Sequence, residues 1–180
     1  MLYTYDEIQN AVGSKSAIRQ RVQSGDLFHV ARGIYSDNQN VSELSIISKL
    51  YPNAIFTLNS AFYYYGLTDT IPQFYYLATD KDATKIRDSR IVQVFENSKG
   101  LSLGRTSIKY NNDEIIIYNK ERLLIELIRN KNKLPFDYYK EIINNYREIL
   151  YSLDIRSIQD YISMLPKEKM IMKVLQLEVF

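Results

Sequence analysis

The chain has 180 residues, 46% hydrophobic and 24% charged, a balance that supports one or two folded domains and excludes a disordered chain. It has no cysteine and a single histidine, His29, which removes disulfides, thiolate metal sites and cysteine nucleophiles and leaves a typical zinc site without its ligands. Net charge is only +2, so affinity for a polyanion has to come from local clustering and not from the field of the whole molecule.

Apolar runs are interrupted well before the roughly 18 to 20 residues that a membrane span needs. Met1 leads into polar helix sequence without a signal-peptide pattern, so a cytosolic protein is expected. Thr4-Tyr5-Asp6-Glu7 has the form of a capping box and predicts a helix over Tyr5–Val12 with an apolar stripe of Tyr5, Ile8, Ala11 and Val12. Gly13 suits the left-handed residue that ends such a helix.

Ser14 is the next N-cap and Gly25 the next stop, which brackets a second helix over Lys15–Ser24. Its predicted buried stripe is Ala17, Ile18 and Val22. The opposite side collects Lys15, Ser16, Arg19, Gln20 and Gln23, donors and amides of the kind that contact phosphates and base edges, with no acid among them. Arg21 falls beside the buried stripe. Two short β-prone runs follow, at 27–30 and 34–36, joined by Ala31-Arg32-Gly33, where Gly33 supplies a positive φ and Arg32 marks the tip. His29 within the first run is expected to be half-buried.

From 14 to 36 there are four basic side chains, Lys15, Arg19, Arg21 and Arg32, against Asp26 alone, a local net of +3. Helix, turn, helix and basic hairpin in that order is the layout of a winged helix-turn-helix, in which the second helix enters the major groove and the hairpin touches the backbone beside it. The alternative for the same residues is a protein-interaction module whose basic hairpin docks an acidic partner, without DNA.

Residues 37–40 are polar and turn-like and predict the linker of two domains, 1–38 and 39–180. Ser42 caps a helix reaching Leu50, with Pro52 forbidding its continuation. A brief strand at 54–57, a helix at 59–65 ended by Gly66, and β-prone runs at 74–79, 91–95, 106–110 and 114–118 predict a small mixed sheet, its last two strands a hairpin turning at Asn111-Asn112-Asp113. From Asn119 onward the period is helical, with four apolar stripes running to the end of the chain. The expected class is therefore α+β: a winged helix-turn-helix, then a mixed α+β domain with a helical C-terminal part.

The wing glycine and tyrosine (Gly33, Tyr35), the helix with its Gly-Leu exit (Ser60, Ala61, Gly66, Leu67), Ile71-Pro72, and the Tyr118-x-x-Glu121-Arg122 helix start together resemble the AbiEi antitoxin family. These are the regulatory halves of abortive-infection (AbiE) toxin–antitoxin pairs in bacteria, usually classed as type IV. The resemblance implies a repressor whose winged domain binds inverted repeats upstream of its own operon. It also implies a C-terminal domain that supports cooperative self-association on DNA and antagonises a nucleotidyltransferase-like toxin, without requiring a stable complex.

On this reading Lys15, Arg19 and Arg32 neutralise phosphates, while Ser16, Gln20 and Gln23 are placed for base edges, since Gln pairs bidentately with adenine. Arg129, Lys131 and Lys133 read either as a second basic surface, open to DNA or to an acidic partner, or as an ordinary charged face on a capped helix. Asp80-x-Asp82 has the form of a metal-binding pair, but Gly13-Ser14 lies far upstream and not on the strand-to-helix junction a nucleotidyltransferase needs; a polar turn is expected instead. Glu121-Arg122 at a helix start reads as a structural ion pair. With no convergent acid–base or nucleophile set, neither catalysis, a metal nor a cofactor is expected.

Overall fold

A computed structural model describes Met1–Phe180. The fold is α+β, and the chain divides into two compact units: Met1–Asn53 with Lys109–Ile115, and Ala54–Ile108 with Ile116–Phe180. The division falls later than the polar stretch at 37–40, because the helix that follows it contributes its apolar face to the first unit. No helix is long and apolar enough to cross a membrane.

In the first unit, strand β1 (Leu2–Thr4) leads directly into helix α1 (Tyr5–Val12). The sequence pattern predicts the helix over Tyr5–Val12 but not the strand before it. The capping box forms as its residues dictate: Glu7 N–H donates to Thr4 Oγ1 at 3.2 Å and Thr4 N–H donates to Glu7 Oε2 at 2.6 Å. Gly13 is left-handed at φ 83° and turns the chain into α2 (Lys15–Ser24). Strands β2 (Phe28–Ala31) and β3 (Ile34–Ser36) form the expected hairpin, and β1 adds to it antiparallel, giving the order β1-β3-β2. Tyr3 stands opposite Tyr35, and Tyr5 N–H donates to the Gly33 carbonyl at 2.9 Å, which pins the hairpin to the start of α1.

Ile8, Ile18 and Leu27 form the buried centre of this unit, wrapped by Tyr3, Tyr5, Val12 and Tyr35. Ala11 is exposed and stands outside the stripe. Helix α3 (Glu43–Leu50) buries Leu44 and Ile47 and packs on β1 and β3. Its N-cap Ser42 accepts from Ser45 N–H at 3.0 Å, and the hydroxyls of Ser42 and Ser45 both donate to the Asp113 carboxylate.

The second unit is built on a five-stranded mixed sheet in the order β6-β5-β4-β8-β7, from β4 (Ile55–Phe56), β5 (Tyr75–Asp80), β6 (Ile91–Glu96), β7 (Arg105–Tyr110) and β8 (Asp113–Tyr118). β4 runs antiparallel to β5 and parallel to β8, and β5 runs parallel to β6. Helix α4 (Leu58–Tyr64) and the short α5 (Ser98–Leu101) accompany it. Helices α6 (Lys120–Arg129), α7 (Phe136–Glu148), α8 (Ile155–Met164) and α9 (Glu168–Glu178) are the four expected from the apolar stripes. α6 is the hub, packing on α4, α8 and α9 with Leu123, Leu124, Leu127 and Ile128 all buried.

Candidate nucleic-acid interface

α2 exists because its ends are chemically marked. Ser14 Oγ accepts from Ala17 N–H at 3.1 Å, and Gly25, left-handed at φ 83°, donates back to the last turn. Ile18 is the one fully buried side chain of the helix and anchors it to α1 and Leu27. The outward face then follows from the helical period. Lys15, Ser16, Arg19, Gln20 and Gln23 are all exposed, and none has an intramolecular side-chain partner. Arg32 is exposed at the hairpin tip, set there by Gly33 at φ 74°. Asp26, the acid nearest in sequence, accepts from Ser24 Oγ at 2.6 Å. Five of the six residues read from the sequence as an interface therefore share the solvent-facing side of α2, the sixth, Arg32, is exposed at the hairpin tip, and the three charges among them are uncompensated.

Two side chains differ from expectation. Val22 is 38% exposed instead of buried, because it lies at the edge of the stripe, turned toward the hairpin. His29 is exposed instead of half-buried: strand alternation sends Phe28 and Val30 to one face of β2 and His29 to the other, where its ring lies 5.0 Å from that of Tyr35. The alternation was the available signal for it.

The second basic surface does not assemble. Arg129 is bound to Glu96 Oε2 at 2.7 Å and Glu126 Oε1 at 2.6 Å. Burial alone would pull its guanidinium down, but the Glu126 and Glu96 carboxylates outweigh that and hold it above its ordinary value. Lys131 pairs with Glu178 and stands over the Tyr139 ring. Only Lys133 remains an exposed cation without a carboxylate, on a short 3-10 turn (Lys131–Lys133).

The tempting carboxylates have structural work. Asp80 Oδ1 accepts from Asp82 N–H at 2.9 Å in a turn, and a hydrogen bond from the Ser98 hydroxyl holds its carboxyl below the ordinary carboxylate pKa. Glu121 accepts from Asp154 N–H at 3.0 Å at the start of α8. Its neighbour Arg122 turns inward to other carboxylates: it is fully buried, with Nη2 3.0 Å from Glu96 Oε2 and Nε donating to Glu126 Oε1 at 3.0 Å. The structural ion pair expected at this helix start is thus made by Arg122 with Glu96 and Glu126, not with Glu121.

The fold is similar to that in the crystal structure of the RV2827C protein from Mycobacterium tuberculosis, with a TM-score of 0.65 at 12% sequence identity over 98% of this chain and 71% of that one. At that identity the likeness concerns the fold alone. No family model and no curated protein matches the chain.

Proposed function

We propose that the protein is a DNA-binding antitoxin and autorepressor of an AbiE-type toxin–antitoxin operon, working by binding and not by catalysis. The observation that supports it most is the outward face of α2: five exposed donors and amides without an acid among them, beside a hairpin tipped by Arg32. In this reading the first unit is a winged helix-turn-helix. α2 enters the major groove, Lys15, Arg19 and Arg32 neutralise phosphates, and Ser16, Gln20 and Gln23 face base edges. The partner is operator duplex carrying inverted repeats. The second unit supports self-association on DNA and antagonises a nucleotidyltransferase-like toxin, a role that rests on the resemblance of Gly66-Leu67, Ile71-Pro72 and Glu121-Arg122 to the AbiEi pattern.

The test is a Lys15→Ala, Arg19→Ala, Arg32→Ala triple variant titrated onto duplex DNA from upstream of its operon. Since each phosphate contact contributes roughly 0.9 to the slope of log K against log salt, the variant should lose up to about 2.7 of that slope along with its gel shift. An unchanged affinity and slope would refute the assignment. The same variant should still protect cells from the toxin encoded beside it; loss of protection in a folded triple variant would refute the separation of tasks.

A further inference from the structure

Between α2 and β2 runs a groove of about 290 Å3, lined by Ile18, Arg19, Val22, Gln23, His29 and Tyr35. A second hollow of about 460 Å3 shares Val22 and His29 with it and continues over Val30, Val41 and Ile46. The two meet at the Val22–His29 pair, and no carboxylate lines either. The floor is apolar, with Ile18 buried and Val22 partly open, while Arg19 stands on the helix wall and His29 on the strand wall. A surface-exposed valine flanked by an unpaired guanidinium and an unpaired imidazole suits a ligand that alternates carbon and anion along its length.

We infer that this groove seats one sugar–phosphate strand of a DNA duplex, with Val22 against a deoxyribose and His29 donating a hydrogen bond to a phosphate oxygen across from Arg19. The inference rests on the DNA reading above and adds a residue and a path to it. If α2 occupies the major groove and the hairpin tip reaches the backbone beside it, the strand between them has to cross the space between α2 and β2. Charge selects the same occupant: the walls offer Arg19 and the imidazole, and the lining offers an anion nothing to repel it. His29 is prepared for the contact. The Tyr35 ring at 5.0 Å supports its imidazole on one side, and neither ring nitrogen has a partner within the molecule. An imidazole carries at least one N–H donor in either protonation state.

The experiment is a cycle between side chain and backbone. Full-length protein, His29→Ala, His29→Phe and Arg19→Ala are titrated onto a duplex selected for binding from a randomised pool, and then onto copies bearing a neutral methylphosphonate at one position at a time. His29→Phe keeps a ring against Tyr35 and removes the donor, so a matching thermal melt separates loss of contact from loss of fold. Both His29 variants should bind about tenfold more weakly than wild type, the scale of one hydrogen bond to a charged group. One methylphosphonate should weaken wild type by a similar factor and leave the His29 variants unaffected. Undiminished binding by the His29 variants, or a loss that couples to no single phosphate, overturns the groove assignment while Arg19→Ala still reports on DNA binding. Failure of the wild type to select any duplex overturns the DNA reading itself.

Discussion

Replacing Arg122 by methionine should be among the most damaging single changes in the second unit. Its side chain is fully buried, yet it carries a charge that is satisfied in three directions: Nε to Glu126 Oε1 at 3.0 Å, Nη2 to Glu96 Oε2 at 3.0 Å, and Nη1 to the Gly100 carbonyl at 2.9 Å. The guanidinium also lies 4.8 Å from the centre of the Tyr118 ring. Glu96 and Glu126 are themselves buried, and Arg129 is the second cation that balances them. Methionine approximates the volume and leaves two buried carboxylates facing one guanidinium. Breaking a buried pair in this way costs about 3–5 kcal/mol, chiefly through the charge left without a partner. With a urea m value of about 2 kcal/mol/M, the unfolding midpoint should fall by about 2 M. Urea titration followed by circular dichroism measures it. A double variant, Arg122→Met with Glu96→Gln, removes the one carboxylate left in excess, keeps Arg129 paired with Glu126, and should recover much of the loss. A midpoint shift below about 0.5 M in Arg122→Met, with m unchanged, would refute the claim that this network holds the unit together; so would a double variant less stable than the single one.

Gly104, left-handed at φ 73°, sits against the same arginine: a methyl there would lie 2.5 Å from Arg122 Cβ and 2.6 Å from Asn119 Oδ1. Gly104→Ala should therefore cost about 2–4 kcal/mol, the sum of backbone strain and overpacking, whereas Gly33→Ala, equally left-handed but in open space, should cost only about 1 kcal/mol; equal losses in thermal melts would contradict the steric argument. In the first unit, Glu7 is held at about 2, well below its ordinary 4.5, by a hydrogen bond from Lys49 and by the Thr4 N–H. A depressed folded value means stability present above about 4.5 and lost as the pH falls toward 2, so Glu7→Gln should flatten the acid limb of melting temperature against pH in that window. The effect is modest because the Glu7 side chain is half exposed, and an acid limb identical in both proteins would count against the contact.

What could be read in the sequence was what neighbouring residues settle among themselves. α1 and α2 were placed to the residue because Thr4, Glu7, Ser14, Gly13 and Gly25 mark their ends within a few positions of each boundary. β1 was missed for the opposite reason. Three residues have no period of their own, and Leu2–Thr4 is a strand only because β3, some thirty residues on, offers it a ladder. The division between units was placed too early on similar grounds: the polarity of 37–40 is visible locally, but the destination of Leu44 and Ile47 is not. In the candidate site, the helical period gave the outward face of α2. It misplaced Val22, whose position at the edge of the stripe is decided by the hairpin beside it. The basic cluster at 129–133 is visible in the sequence but the pairing of Arg129 and Lys131 is not, since the carboxylates that neutralise them include Glu96 and Glu178, 33 and 47 residues away.

That last contrast explains why a net charge of +2 is a poor guide to what this chain binds. A cation helps to hold a polyanion only if the fold has not already given it a carboxylate, because the attraction to phosphate would otherwise have to break an existing pair. In the second unit Arg122, Arg129 and Lys131 are committed in this way. In the first, four of the acids are held by other groups: Glu7 by Lys49, Asp26 by the Ser24 hydroxyl, Asp37 by the amino terminus, and Asp113 by Ser42 and Ser45. Lys15 and Arg19 on α2 and Arg32 at the hairpin tip are left without such partners, and the fourth positive side chain, Arg21, is exposed as well. The surplus that matters is thus the local +3 on α2 and its hairpin. It survives folding because Lys15, Arg19 and Arg32 form no ion pair within the molecule, which is the condition that the proposed DNA contact requires of a nearly neutral chain.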